Sequence, residues 1–297
     1  MFNKTIKRAF QAFLIEKGFF IAVNYLFREL IMTKYIFFTF LFFATLLSKP
    51  SIAMGKLGHQ LVCQLAFEHL SPIKKNKVLN LLSAIPTKQQ RLINRYNYKK
   101  EKQAITFAAA CTWADAIKRL AEFKSYKSWH YMNVPRSQSK VNVNTCNKNC
   151  LPQAILLHQQ TLTHPQSLTT WQQAQALLFL GHWLGDIHQP LHVSFKDDLG
   201  GNKVAFNAIT TRCSNLHQYW DRCILNKGKS SKAQWLKLLR NNWLQNSQPP
   251  WQKTQVWQWA DESFKLATTA SLHYRHKKEQ GTCQKPPDKI KLPQGYL

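Results

Sequence analysis

The sequence is short of acid. Among 297 residues, 14 Asp and Glu stand against 41 Lys and Arg, a formal net charge of +27. That balance excludes an acidic surface and favours polyanionic partners, nucleic acid or an anionic membrane, while saying nothing about fold. The seven cysteines contain no Cys-x-x-Cys pair, which removes the zinc-ribbon class. Internal repeats and long low-complexity linkers are also missing, and with them the repeat architectures. No apolar run reaches the roughly 20 residues that span a bilayer comfortably.

What is present is enough for a sizeable core: 44% hydrophobic residues, 12% aromatic, and ten Trp. Lys34 precedes an apolar run over residues 35–47, and the small residues Ser51 and Ala53 follow it. A basic start, a short apolar centre and a small-x-small end form a secretory signal. The expected organisation is therefore a mis-called upstream extension over 1–31, a signal peptide over 32–53 starting at Met32, and a mature chain from Met54. That chain keeps 34 basic against 12 acidic residues. It is expected to be secreted, extracellular or periplasmic, without stable membrane insertion after cleavage. Export lets cysteines oxidise. Cys146 and Cys150 can close a small loop, and Cys63 with Cys111 and Cys213 with Cys223 are the other expected pairs. The seventh, Cys283, is left as a free thiol or implies a different pairing.

Helical spacing of apolar residues appears over 58–70, from Ser71-Pro72 through Leu82, over 104–122, and most strongly over 167–188, where Pro190 should stop it. It returns at 214–226, 230–246 and 252–275. Residues 87–102 are polar and basic and read as a loop or an exposed helix edge. Residues 194–207 hold a turn between short extended pieces. The expected fold is mainly α, a single-domain multi-helix bundle over 54–276 with few short strands. A basic, irregular tail over 277–297 would follow.

The chemistry gathers on His and Asp. His182 and Asp186 are four apart and share one helix face, and His192 follows just beyond Pro190. His217 and Asp221 repeat the spacing. Imidazole and carboxylate are ligands that zinc accepts, and two such pairs with a third His weigh against isolated surface hydrogen bonds. Asp115, one of seven aspartates, sits in an otherwise apolar helix, where an unpartnered carboxylate is costly. His130 lies among aromatics, and His59 stands five residues beyond Met54.

In this order the motifs resemble the secreted single-strand-preferring nucleases of the S-one/P-one type, with Gly200-Gly201-Asn202 between the last two. The resemblance spans nearly all of 54–275 and implies the fold shared with zinc phospholipase C. It implies three Zn2+ ions per chain. The first takes Asp115, His130, His182 and Asp186, and the second takes His192, His217 and Asp221. The third takes His59, the other oxygen of Asp186, and the free amine and carbonyl of Met54, where relatives begin with Trp. His69 and His188 match no ligand position.

The resemblance further implies hydrolysis of single-stranded DNA and RNA by a monomer. Water held near the catalytic Asp115 attacks phosphorus and the 3′ oxygen departs, leaving 5′-phosphate ends; 3′-nucleotidase activity on nucleotides comes with it. Lys118 would meet a phosphate, and Tyr131 and Asn133 would stack on and read a base, with plain core packing as the other reading of Tyr131. Two alternatives use the same residues: a zinc phospholipase C, and a non-catalytic basic effector that binds nucleic acid or membrane surfaces.

Overall fold

A computed structural model describes residues 55–146, 149–206, 213–226, 230–245 and 255–269, together with 278–279, 282–283, 289–290 and 292. The expected signal region and Met54 lie outside the described residues.

The strongest sequence feature becomes the centre of the molecule. Helix α7 (Thr170–Asp186) is preceded in the chain by α1 (Lys56–Glu68), α2 (Pro72–Ser83), α3 (Thr87–Tyr96), α4 (Phe107–Ala110), α5 (Trp113–Ile117) and α6 (Leu151–Thr163). A reciprocal cap starts α7: the Thr169 side chain accepts from the Gln172 N–H, and Gln172 returns a bond to the Thr169 N–H. Every residue from Ala176 to Asp186 is buried. A helix apolar all round belongs inside a protein. Its His182 and Asp186 are therefore carried into the core and must find partners there. α6 packs along it, and α1 and α5 also lie against it.

The expected helix over 104–122 is broken in two. α4 ends at Ala110, and α5 starts again at Trp113. Between them Cys111 is tied to Cys63 of α1 by a disulfide, and its carbonyl accepts from His182 Nδ1 at 2.8 Å. Local periodicity cannot register such long-range ties. The polar stretch 87–102 is a helix for most of its length. α3 buries only a narrow apolar edge, Ile93 with Leu92 beside it, and adds polar contacts: Trp113 Nε1 donates to Gln89 at 2.8 Å, and the buried Asn94 amide donates to the carbonyls of Glu101 and Gln103.

Strands are few and short. β1 (Met132–Val134) pairs in parallel with β2 (Val193–Phe195), Met132 opposite Val193, so His130 and His192 come side by side just ahead of the pair. β3 (Ala205–Phe206) follows the turn, in which Leu199, Gly200 and Gly201 all take positive φ. A three-residue α8 (Leu216–Gln218) leads into a π-type turn over Tyr219–Cys223, followed by α9 (Ile224–Asn226), α10 (Lys232–Gln245) and α11 (Val256–Ala267).

The tail corrects an expectation. It is not wholly irregular: β4 (Lys278–Glu279) pairs with β5 (Thr282–Cys283), and β6 (Lys289–Ile290) pairs with β3. Ile290 and Leu292 pack on the core, which supplies the reason for the order. The Cys146–Cys150 and Cys213–Cys223 disulfides form as expected alongside Cys63–Cys111. Among the described residues no helix is long and apolar enough to cross a membrane.

Trp113, Trp183, Trp220, Trp235 and Trp259 are fully buried, and the Trp113 ring lies 4.8 Å from that of Phe179 of α7. Phe179 stacks on Trp183, and His158 of α6 lies 5.0 Å from the Phe179 ring and 5.4 Å from the Trp129 ring. Burial pushes the His158 imidazole down to about 4, only partly offset by its bond to the Ala154 carbonyl. An imidazole lowered by folding stabilises fully above its unfolded value of 6.5, and the contribution is lost as pH falls toward 4. The shift corresponds to about 3 kcal/mol. Thermal melts between those pH values should therefore flatten in His158→Gln relative to wild type. Equal slopes would remove His158 from the acid sensitivity.

Candidate metal centre

Four imidazoles from separate elements converge onto one carboxylate. Asp186, at the C-terminal end of α7, turns Oδ2 toward His130 Nδ1 at 3.1 Å and His182 Nε2 at 3.3 Å. Its Oδ1 faces His59 Nε2 and His192 Nδ1, each at 3.3 Å. Asp115 of α5 completes the first side, with Oδ1 3.9 Å from both His130 and His182. His59 of α1 stacks on His182 with ring centroids 3.7 Å apart.

A second group stands beside the first. His192 Nε2 is 3.3 Å from Asp221 Oδ1, and His217 Nε2 is 3.3 Å from Asp221 Oδ2. Asp221 sits in the π-type turn, which offsets it from regular helical register; such turns frequently occur at functional sites.

The main chain aims these rings. Cys111, His130 and Gly200 offer carbonyls to the Nδ1 atoms of His182, His192 and His217, at 2.8, 2.7 and 2.8 Å. Each bond fixes a ring so that Nε2 points into the cluster, the arrangement that metal-binding histidines use. Gly200 makes this possible at His217. Its φ is +61°, and a Cβ there would run into the Leu191 carbonyl. Gly200→Ala is expected to cost about 1–2 kcal/mol in backbone strain. Displacing the carbonyl should also weaken metal at this group by about 10–100-fold. Metal titration followed by calorimetry checks both; unchanged affinity would show that the carbonyl does not orient His217.

Electrostatically the cluster is built for cations. Burial alone would raise the Asp186 carboxyl, but His192 and His182 outweigh it and hold it well below the usual carboxylate range. Asp115 is also held low, by His182, Lys118 and His130 against its burial. Burial opposes charge at His192, yet Asp186 and Asp221 push its imidazole up to about 9. Buried, ionised carboxylates are normally paired or bind metal. Asp186 Oδ1 and His192 Nε2 are both shut off from solvent without a hydrogen bond. Their 3.3 Å spacing from neighbouring ligand atoms matches the edge of a tetrahedron with bonds of about 2.0–2.1 Å. Donor chemistry, spacing and the orphaned atoms all fit zinc.

Among the described residues, three groups of ligand atoms are compact enough for an ion: His130, His182 and Asp186; His192, His217 and Asp221; and His59, Asp115 and His182. The second has the three residues of an expected set, whereas the first holds three of an expected four and leaves Asp115 to the third group. The third shares His59 with expectation but draws its partners from the first set, although His59 also faces Asp186. Met54, the remaining expected ligand, lies outside the described residues. Its neighbour Gly55 donates its N–H to the Asp221 carbonyl and has no room for a side chain against it.

The region over 54–288 matches the family described as S1/P1 Nuclease. The chain belongs to this family. Relatives of this S1/P1 protein include Endonuclease 3 of Arabidopsis thaliana, 29% identical over 75% of this chain and 76% of that protein. Nuclease P1 of Penicillium citrinum is 27% identical over 63% of this chain and 66% of its own length. Nuclease S1 of Aspergillus oryzae is 28% identical over 59% and 55%. The S1/P1 assignment makes the chain an endonuclease-type hydrolase of phosphodiester bonds, with His/Asp groups able to hold metal.

Of the expected substrate residues, Lys118 touches the cluster, and Tyr131 directly follows His130 in the chain. Lys118 Nζ, half exposed, bonds Asp115 Oδ1 at 2.7 Å, and Tyr131 is 41% exposed, so it is not a core residue. Asn133 is half-buried in β1. His188 joins none of the three groups; its Nδ1 donates to the Leu184 carbonyl and its ring lies 5.8 Å from that of Trp259.

Two side chains escaped sequence reasoning. Tyr96 of α3 donates its O–H to Asp115 Oδ2 at 3.0 Å. Gln189 donates to Asp221 Oδ1 at 2.9 Å while its Oε1 accepts from the Leu191 N–H. Gln189, between two histidines and a proline in the motif, carried a weak signal. Tyr96 carried none.

Proposed function

We propose that this chain is a secreted zinc-dependent endonuclease that hydrolyses single-stranded DNA and RNA to 5′-phosphate products, acting as a monomer with three zinc ions. The observation that carries the reading is the double use of Asp186, whose two oxygens face separate sets of imidazoles. Asp115, His130, His182 and Asp186 would hold one ion, and His192, His217 and Asp221 a second. His59, Asp186 Oδ1 and the amine and carbonyl of Met54 would hold a third. That last set requires a free amine, and so removal of the signal before Met54. Zinc supplies Lewis acidity, making water nucleophilic near neutral pH and offsetting charge on phosphoryl oxygens.

The chain's own groups do the rest. Asp115 stays ionised and orients the attacking water toward phosphorus, with Tyr96 and Lys118 fixing its carboxylate. The Lys118 ammonium takes a non-bridging phosphoryl oxygen. Attack breaks the bond from phosphorus to the 3′ oxygen, which leaves as a hydroxyl on the upstream nucleotide. The exposed Tyr131 ring stacks on a base and Asn133 hydrogen-bonds its edge. Stacking needs an unpaired base and tolerates any of them, which favours single strands. The excess of Lys and Arg adds phosphate affinity that falls with salt.

Purified mature protein is expected to contain three zinc ions by elemental analysis. It should cleave single-stranded DNA and RNA well ahead of duplex and leave ends that phosphatase can dephosphorylate on the 5′ side. Hydrolysis of phosphatidylcholine vesicles in place of nucleic acid would replace this reading with a phospholipase, and unaltered nucleic-acid binding without cleavage would replace it with a binding protein.

A further inference from the structure

The C-terminus of α3 carries an anomaly that the metal centre does not use. The Lys99 N–H bonds the Asn94 carbonyl and the Tyr98 N–H bonds the Arg95 carbonyl, the pair of bonds that closes a helix with one residue in the left-handed region. That position favours glycine, because a Cβ there costs about 1–2 kcal/mol. Here it holds Tyr98, with φ of 56°. The strain is not offset by burial, since Tyr98 is 89% exposed. A large aromatic held out in solvent on a strained backbone is the kind of outlier that points to a function.

Its surroundings say what it would meet. The Lys56 ammonium lies 3.6 Å from the Tyr98 ring centroid and 4.7 Å from that of Tyr96, and Tyr96 bonds Asp115 of the metal centre. One face of Tyr98 is thus covered by a cation and the other is open. Lys99 and Lys100 beside it are exposed, and Lys99 lies near enough to Lys232 to add to burial in lowering that lysine. Stacking faces interleaved with lysines are the pattern of a single-stranded nucleic acid track.

We infer that Tyr98, with Lys56 and Lys99, forms a stacking subsite for a nucleotide flanking the cleaved bond, reached from the metal centre by way of Tyr96. The base lies on the open face of Tyr98, and its phosphates pair with the lysines. The inference rests on the nuclease reading above, and its test separates the two.

Zinc-loaded protein is assayed on a dinucleotide and on a single strand of about ten nucleotides. Tyr98→Ala should raise KM on the longer strand about fivefold or more, the low end of what an aromatic–base stack contributes. The rise on the dinucleotide should be smaller. Tyr98→Phe keeps the ring and should keep the KM. Tyr98→Gly relieves the strain and should melt higher than wild type while showing the same KM loss, an outcome a purely structural Tyr98 could not give. Equal KM values for wild type and Tyr98→Gly on the longer strand would overturn the subsite. Anisotropy with a phosphorothioate strand of the same length reads the same affinity loss without turnover. Absent cleavage by wild type therefore defeats only the nuclease reading, whereas equal anisotropy for wild type and Tyr98→Ala defeats the subsite.

Discussion

Asp186→Asn should lose bound metal and activity together. Each oxygen of this side chain lies 3.1–3.3 Å from two imidazole nitrogens, so a neutral amide removes a charged ligand from more than one ion at once. Losing the charge stabilisation of even one ion is worth several kcal/mol in the transition state. About 4 kcal/mol corresponds to roughly a thousandfold in rate, which is the floor expected here. The variant should also bind clearly fewer zinc ions after dialysis. The metal-free cluster should not collapse entirely, because Asp115 and Asp221 still face the histidines. Near-normal cleavage by Asp186→Asn would refute a shared-ligand role.

Removal of the Cys63–Cys111 disulfide, as the paired Ser variant, should cost about 4 kcal/mol of stability if the closed loop acts through unfolded-chain entropy. The bond spans 48 residues, so the loop is long. A second effect comes from the site's own geometry: the Cys111 carbonyl holds His182 Nδ1, and Cys63 Sγ lies 3.8 Å from the Gly181 carbonyl next to it. Loosening this corner should therefore weaken metal binding as well as lower the melting temperature. Zinc titration at a temperature where the variant is fully folded separates the two. Lower stability with unchanged zinc affinity would show that the disulfide braces the fold but not the ligand.

Much of the candidate site was legible in the sequence because its His and Asp side chains come in local patterns. His182 with Asp186, and His217 with Asp221, are four apart in the chain; helix geometry puts the first pair on one face, and the second meets across the start of the π-type turn. Asp115 announced itself as a carboxylate in an apolar segment in a chain with few acids. Helices α1, α2, α7, α10 and α11 followed from apolar periodicity, and the end of α7 from Pro190. α3 was ambiguous because its apolar edge is only Leu92 and Ile93 among polar and basic residues, with Gln89 and Tyr96 adding polar contacts that periodicity does not display.

Sequence by itself thus determined the ligand types, their pairing along helices, the cysteine pairs and the basic surface. Only tertiary structure decided how those pairs share a centre. It gave Asp186 two sets of partners, brought His130 beside His192 through a short parallel strand pair, and split the 104–122 helix where Cys111 reaches both Cys63 and His182. It also set Tyr96 on Asp115 and left Tyr98 exposed on a strained turn. The reason is physical. Periodicity records which face of an element avoids water, whereas carbonyl acceptors, turn strain and contacts between distant segments exist only once those faces have been packed together.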